Sequence, residues 1–375
     1  MRRFLMCLFL TICTPAFAIA ADPAPLLTTI KSVTAEGKGN AEAATAWKSL
    51  VGIGADALFP TLMAVDDAKP VAVNWLRLAA QAIVEKEQQA QRALPAEKLE
   101  AYVKDVKHVP AGRRLAYEFL VLADAKAPER LLPGMIEDPS VELRRDAIAA
   151  AIEAATPLIK SDATQAIQRF GALFRASRDQ DQVEKLAKTL KELKSEPDLN
   201  KHFGVVLDWT VLGPFDSVKG AGYDKAYEPE TKIDLSATYK GKDGKDVKWT
   251  PHSSAEPYGV VDLNKALGKH KDAVAYAFTV VNAEQETPVE IRFGCICAVK
   301  IYLNGKEVFA REEYHHGQRF DQYLSTGTLK AGRNEILLKV CQNNQTDSWA
   351  QDWKFQLRLC DATGGSLPVT VVKNK

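Results

Sequence analysis

The chain has 375 residues, 46% apolar and 26% charged, with 49 Lys and Arg against 48 Asp and Glu for a formal net charge of +1. That length exceeds one ordinary domain, and the composition is that of folded protein. The balanced charge excludes the electrostatic footprint of a nucleic-acid or polybasic membrane binder, and six Cys in a chain this long exclude a small disulfide scaffold.

Residues 1–21 have the pattern of a secretory signal. Arg2 and Arg3 precede an apolar stretch from Phe4 to Cys13, and Ala16, Ala18 and Ala20 offer small residues for cleavage. The stretch is about ten residues, half of what a membrane helix requires. No later run is longer, so the mature chain is expected to be exported (periplasmic, cell-surface or extracellular) with no transmembrane segment. Losing Arg2 and Arg3 leaves 47 basic against 48 acidic residues, and the remaining cysteines are Cys295, Cys297, Cys341 and Cys360.

Residues 22–200 read as an α-helical domain. Trp75, Leu76, Ala79, Ala80 and Ile83 share one helical face. Pro70, Pro95, Pro110, Pro128 and Pro139 stand near the starts of successive periodic segments, where a missing N–H costs nothing. Arg-x-Ala recurs at Arg77–Ala79, Arg114–Ala116 and Arg145–Ala147, each time on a helix that follows a shorter apolar one. The segment Asp138-Pro139-Ser140-Val141-Glu142-Leu143-Arg144-Arg145-Asp146-Ala147 resembles a HEAT repeat. The resemblance implies a helical solenoid in which the Arg pairs with an acid of the neighbouring repeat; a non-repeating bundle stays open. Two further helices follow, one with the stripe Ala166, Ile167, Phe170, Leu173 and Phe174, the other with Val183, Leu186, Leu190 and Leu193.

Residues 203–375 switch to period two. Val205 to Leu212 reads as a first strand ended by Gly213-Pro214. Val274, Tyr276, Phe278 and Val280 alternate, as do Val289, Ile291 and Phe293, and then Phe355, Leu357 and Leu359. Asn304-Gly305, between Val299–Leu303 and Lys306–Phe309, is a type I′ hairpin turn, which requires positive φ at both residues. Short alternating strands over this length read as an antiparallel β-sandwich. Leu303-Asn304-Gly305-Lys306-Glu307-Val308 and the later Leu329 to Val340 run resemble the galactose-binding-like jelly roll, a module that serves as a carbohydrate-binding domain. Trp209 to Phe215 with Tyr227-Glu228-Pro229-Glu230 is similar to the opening of that module in large exported bacterial proteins, some with HEAT-like helices in front. The fold class expected is therefore α then β: a HEAT-like α-helical solenoid followed by an antiparallel β-sandwich of jelly-roll type.

Two polar runs carry the candidate chemistry. One extends from Arg311 to Tyr323, the other from Asn343 to Trp353. Loops at one end of a sandwich converge, which would place Tyr314, Tyr323, Trp349 and Trp353 beside Arg311, Glu313, Arg319 and Asp321. Sugars are held by aromatic faces beside planar polar groups. The alternative is that Trp349 and Trp353 cap the core and the charges form a solvated network. Adjacent His315 and His316 point to opposite faces of a strand and make a poor metal pair. The jelly-roll resemblance implies a structural calcium as an option, with Asp321, Asp347 and Asp352 as oxygen donors. No organic cofactor is expected. A glycosidase pair from Glu312 and Glu313, or Asp321 with Glu312, would require two facing carboxylates. No Gly-x-Ser-x-Gly or phosphate-binding glycine loop is present.

Cys295 and Cys297 share the parity of the core-facing positions, whereas Cys341 and Cys360 fall on the opposite parity and are expected off the core face; no disulfide is assigned among them. These features together lead to the expectation of a non-catalytic exported protein that binds a polysaccharide or a cell-envelope protein. A purely structural envelope protein and a polysaccharide-active enzyme are the alternatives.

Overall fold

A computed structural model describes residues 22–372; the expected signal segment 1–21 lies outside them. Helices fill the N-terminal half, antiparallel strands the C-terminal half, and no sheet closes into a barrel. By internal contacts the chain forms two compact units, one up to residue 147 and one from residue 148 onward.

The first unit is built from α1 (Ala24–Lys31), α2 (Asn40–Ile53), α3 (Leu58–Met63), α4 (Pro70–Gln89), α5 (Ala96–Lys104), α6 (Pro110–Ala123), α7 (Ala127–Leu131) and the start of α8 (Val141–Ala155). Pro70 and Pro110 open α4 and α6 at the positions where proline is tolerated. Leu76, Ala79, Ala80, Ile83 and Val84 of α4 are buried, and Trp75 packs against the same cluster. Alternate helices are linked by ion pairs. Arg77 on α4 approaches Glu118 on α6 at 3.6 Å, and Arg114 on α6 pairs with Asp146 on α8. Both pairs are solvent-accessible and contribute little individually. Arg113 is different, being 1% exposed. Its guanidinium grips both carboxylate oxygens of Asp138 at 2.7 Å, and its Nε donates to the Val103 carbonyl. Arg144 then donates to the Asp138 carbonyl, which fixes the turn that launches α8.

The second unit begins with α9 (Leu158–Ser161), α10 (Ala163–Ala176), α11 (Gln180–Glu192) and α12 (Leu199–Phe203). The predicted stripes of α10 and α11 are buried at Ala166, Phe170, Leu173, Phe174, Val183, Leu186 and Leu190. Asp162 and Asp198 cap α10 and α12 by accepting from Gln165 N and Lys201 N. The strands are β1 (Asp208–Asp216), β2 (Thr238–Lys240), β3 (Asp246–Lys248), β4 (Thr250–Ser253), β5 (Val261–Asp262), β6 (Ala273–Ala283), β7 (Thr287–Cys295), β8 (Ala298–Leu303), β9 (Lys306–Arg311), β10 (Tyr323–Leu329), β11 (Gly332–Gln342), β12 (Lys354–Cys360) and β13 (Val369–Val372). Short helices α13 (Glu228–Thr231) and α14 (Leu263–Leu267) lie in the connections. One sheet runs β4-β1-β6-β11-β8-β9, with β13 also on β6; the facing sheet runs β10-β7-β12-β5; β2 and β3 pair separately. Asn304 and Gly305 both have positive φ, 53° and 78°, as the hairpin between β8 and β9 requires.

The structure corrects one strand boundary and adds two features that alternation alone does not settle. β1 does not stop at Gly213-Pro214: it runs to Asp216 and pairs β6 on both sides of a register shift between Leu212 and Phe215. Val274, Tyr276, Phe278 and Val280 of β6 point away from the sandwich core, and the inward face carries Ala273, Ala275, Ala277 and Val281. Cys341 and Cys360 do leave the inner face, yet both are 0% exposed. The reason is common to the last two. Much of the outer face of each sheet is covered, so alternation no longer separates core from solvent there. The chain between β1 and β4 lays Tyr223, Tyr239, Val247 and Trp249 over the large sheet. Phe203 and Phe320 cover the small one, stacking on the Arg358 guanidinium at 5.5 and 4.8 Å.

Lys339, in the middle of β11, is wholly buried beneath the first cover. Its ammonium donates to the carbonyls of Tyr223 (3.0 Å) and Lys225 (2.7 Å) and to the Glu230 carboxylate (2.9 Å), so all three donors are used. Glu230 also accepts from the Tyr276 and Tyr302 hydroxyls. Burial alone would raise the Glu230 carboxyl, but hydrogen bonds from Tyr276, Lys339 and Tyr302 outweigh it and hold the group below its ordinary value.

Removing one partner strands a buried charge. Lys339→Met is expected to cost about 3–5 kcal/mol in urea unfolding of the strand-bearing unit, and adding Glu230→Gln is expected to restore part of that loss. The four cysteines of the described residues are free and buried, and burial pushes the thiols up, Cys295 and Cys341 to about 12 and Cys360 to about 11 from an ordinary 9.0. Raised acids favour the folded state fully only below the unfolded value, and that contribution is lost as pH rises toward the folded one. The urea midpoint should therefore fall as pH climbs above 9, and a thiol reagent at neutral pH should label these cysteines only after unfolding.

Candidate functional site

The loop between β9 and β10 and the loop between β11 and β12 do meet. His315 has a positive φ of 55°, and its backbone N–H donates to the Ile296 carbonyl. Its Nε2 lies 2.8 Å from Asn343 Oδ1, which also accepts from the Gln345 N–H, so Nε2 is the donor and Nδ1 faces inward. The Asn343 amide donates in turn to Gln345 Oε1 at 2.8 Å. Trp349 stands on a single helical turn, Ser348–Ala350, that the Gln351 amide and the Lys271 ammonium brace from behind. Its ring and the His315 imidazole meet edge-to-face at 5.8 Å and 83°, and the Tyr314 ring lies 6.4 Å from the same imidazole. Trp349 is 60% exposed, the most exposed large aromatic of the described residues.

The other expected residues divide into three groups. Tyr314 is half-buried, packed against the cover of the large sheet; its hydroxyl is enclosed without a partner among the described residues, and burial pushes it well above its ordinary value. Arg311, Glu313 and Tyr323 form a second patch. Arg311 pairs with Glu313, and the Tyr323 hydroxyl touches His316 Nε2 at 2.6 Å and Glu313 Oε2 at 3.5 Å. The Tyr323 ring is anchored on Phe293 and Phe309. Arg319 is exposed, with its carbonyl pressed so close to Gly294 that a Cβ there would sit 2.3 Å away.

Trp353 and Asp321 are corrections. Trp353 is 0% exposed and fills the core between the sheets, its Nε1 donating to the Val340 carbonyl, because β12 begins beside it and turns its ring inward. The Asp321 carboxylate is occupied by Arg358, at 2.7 Å from Nε and 2.5 Å from Nη2, and by Arg292 at 3.2 Å. It locks the β9–β10 loop onto the small sheet and is not free to bind a ligand. The calcium set fails for the same reason. Asp321 is taken by two arginines, Asp352 pairs with Lys354 at 2.9 Å, and no three His, Cys, Asp or Glu side chains among the described residues cluster to hold a metal. Of the carboxylates weighed for acid–base chemistry, Glu313 is neutralised by Arg311 and Asp321 by Arg358. His315 emerges as the neighbour of Trp349, held by a hydrogen bond to Asn343, and the sequence did not single out either residue for this role. The contact is long-range, and no local pattern announces it.

No family model matches the chain, and no curated protein matches it. Solved structures similar in part include β-glucosidase from Kluyveromyces marxianus in complex with glucose, at 12% identity and a TM-score of 0.22 over 30% of this chain and 14% of that one. A selenomethionine form of the same enzyme matches at 12% identity and 0.24 over 46% and 21%. The GH31 α-xylosidase from Xanthomonas citri matches at 12% identity and 0.19 over 31% and 15%. The chain thus spans about a fifth or less of these enzymes, and similarity at this level bears on neither fold nor chemistry.

The two tryptophans should separate cleanly. Trp353→Ala is expected to destabilise the strand-bearing unit by about 3–5 kcal/mol. Trp349→Ala should stay within about 0.5 kcal/mol of wild type in the same denaturation experiment.

Proposed function

We propose that the protein is an exported, non-catalytic binding protein that contacts glycan through the loop end of its β-sandwich and protein partners through a HEAT-like helical solenoid. The observation that supports the glycan half is the Trp349 ring. It is exposed and meets the His315 imidazole edge-to-face, and His315 is itself hydrogen-bonded to Asn343, which bonds Gln345. A pyranose offers C–H bonds for the face of such a ring and hydroxyls for nearby amides. The ladder from Arg77 to Glu118 and from Arg114 to Asp146 supports the repeat reading of the helical half. Stacked helical repeats present an extended surface to protein partners. Among the described residues no helix is long and apolar enough to cross a membrane.

A glycan array followed by calorimetric titration of the full chain tests the reading. Wild type should bind a polysaccharide, and Trp349→Ala should weaken that binding at least about tenfold, equivalent to about 1.4 kcal/mol, without a change in Tm. Absence of any glycan binding, or equal binding by Trp349→Ala, would overturn it.

A further inference from the structure

A second concave site lies in the strand-bearing unit, between the helices α10 and α12 and the segment after β12. It encloses about 580 Å³, within the range of about 300–1,000 Å³ typical of small-molecule sites. It shares no residue with the Trp349 surface.

Its floor is held in place by short polar contacts. The chain after β12 folds into a tight turn in which Asp361 Oδ1 accepts from the Thr363 N–H and hydroxyl, both at 2.7 Å, and from the Gly365 N–H at 2.9 Å. The turn passes close under these side chains: a Cβ on Gly365 would lie 2.8 Å from Asp361 Oδ2 and 3.0 Å from Arg178 Nε. Arg178 is fixed from the other side, donating through Nη1 to the carbonyls of Arg175 (2.7 Å) and Ser177 (2.9 Å) at the C-terminal end of α10. His202 stacks on Phe174 at 4.3 Å and contacts the Ser177 carbonyl through Nε2 at 3.1 Å. Burial, and then the nearby Arg178 charge, push the imidazole down to about 4, so His202 is a neutral ring at physiological pH.

The charge on the walls does not cancel. Three cations, Arg175, Arg178 and Lys201, face two carboxylates, Asp198 and Asp361. Both carboxylates are already engaged by backbone N–H groups, Asp198 as the cap of α12 and Asp361 within its turn. Arg175 and Lys201 are exposed and have no ion-pair partner among the described residues. Leu367, Pro368 and Val369 add apolar surface to the lining. Two unpaired cations, a neutral imidazole beside Phe174 and aliphatic side chains around one hollow of sugar size form a receptor for an anionic group on a compact carbon body.

From this arrangement we infer that the cleft binds a small organic oxyanion, a carboxylated or phosphorylated sugar-sized molecule, with Arg175 and Lys201 as the charge-recognising residues. The oxyanion sits between the two free cations, and the body lies against Leu367 and Pro368. Because Arg175 and Lys201 are on the surface, replacing them leaves the Asp361 turn and the His202 stack intact.

Calorimetric titration of the full chain with glucuronate, glucose 6-phosphate, inorganic phosphate and glucose, in a buffer of roughly 20 mM salt where exposed charges are least screened, is the test. At least one of the two organic anions should bind saturably, and which one it is identifies the oxyanion. Glucose should not bind at this site. The double variant Arg175→Gln/Lys201→Gln should lose at least about tenfold in affinity at unchanged Tm. Trp349→Ala should bind the anion as wild type does, which separates this site from the glycan surface. Failure of both organic anions to bind, undiminished binding by the double variant, or binding of inorganic phosphate as tight as the better organic anion would each overturn the inference.

Discussion

The β-sandwich depends on a lysine in its most buried strand pair. Lys339 occupies the outer face at the centre of β11, where solvent would ordinarily hydrate it. It has instead traded water for two backbone carbonyls and the Glu230 carboxylate, and Glu230 has gathered Tyr276 and Tyr302. The trade is acceptable only when every donor is matched, and here each is. Its consequence is geometric. The irregular chain between β1 and β4 is pinned over the large sheet, and a second apolar cluster forms beneath it. β6 is then buried on both faces, which is why it reads Ala-Val-Ala-Tyr-Ala-Phe-Thr-Val-Val with no polar alternation.

The same device recurs. Arg113 in the helical unit holds Asp138 and the turn before α8. Arg358 on the small sheet holds Asp321, the Phe203 carbonyl and the Gly364 carbonyl, gathering three loops at one point. In each case a long cationic side chain rooted on a regular element reaches into an irregular one and satisfies several acceptors that would otherwise be buried unpaired. Irregular backbone has few internal hydrogen bonds, so an anchored cation supplies what a ladder supplies elsewhere. Asp321 is the clearest instance: read as a ligand-binding acid, it turned out to be the anchor of its own loop.

With the anchors removed from the inventory, the surface that remains is small and specific. Trp349 projects from a braced turn, while Arg311, Glu313 and Tyr323 form a neighbouring but separate patch. The cleft beside α12 supplies cations where the Trp349 surface supplies an aromatic face. The two surfaces differ in the chemistry they offer, one aromatic and one cationic.

Much of the architecture was legible in the residues. Helical periodicity through Leu76, Ala79, Ala80 and Ile83, the stripes at Phe170 and Leu186, and the Asn304-Gly305 hairpin are local signals, and local signals survive without knowledge of what packs where. The convergence of the β9–β10 and β11–β12 loops was also within reach of a topological argument. What the sequence could not decide was which face of a strand meets water. Period two assigns residues to two faces, but whether the second face is solvent or a second core depends on chain segments far away in sequence. Cys341, Cys360, Lys339 and Arg358 all lie on such a face, while Trp353 and Trp349, four residues apart, end in opposite environments because one adjoins the start of β12 and the other stands on a separate turn. The sequence alone determined the elements and their order; tertiary covering determined which polar residues became anchors and which one aromatic ring was left in solvent.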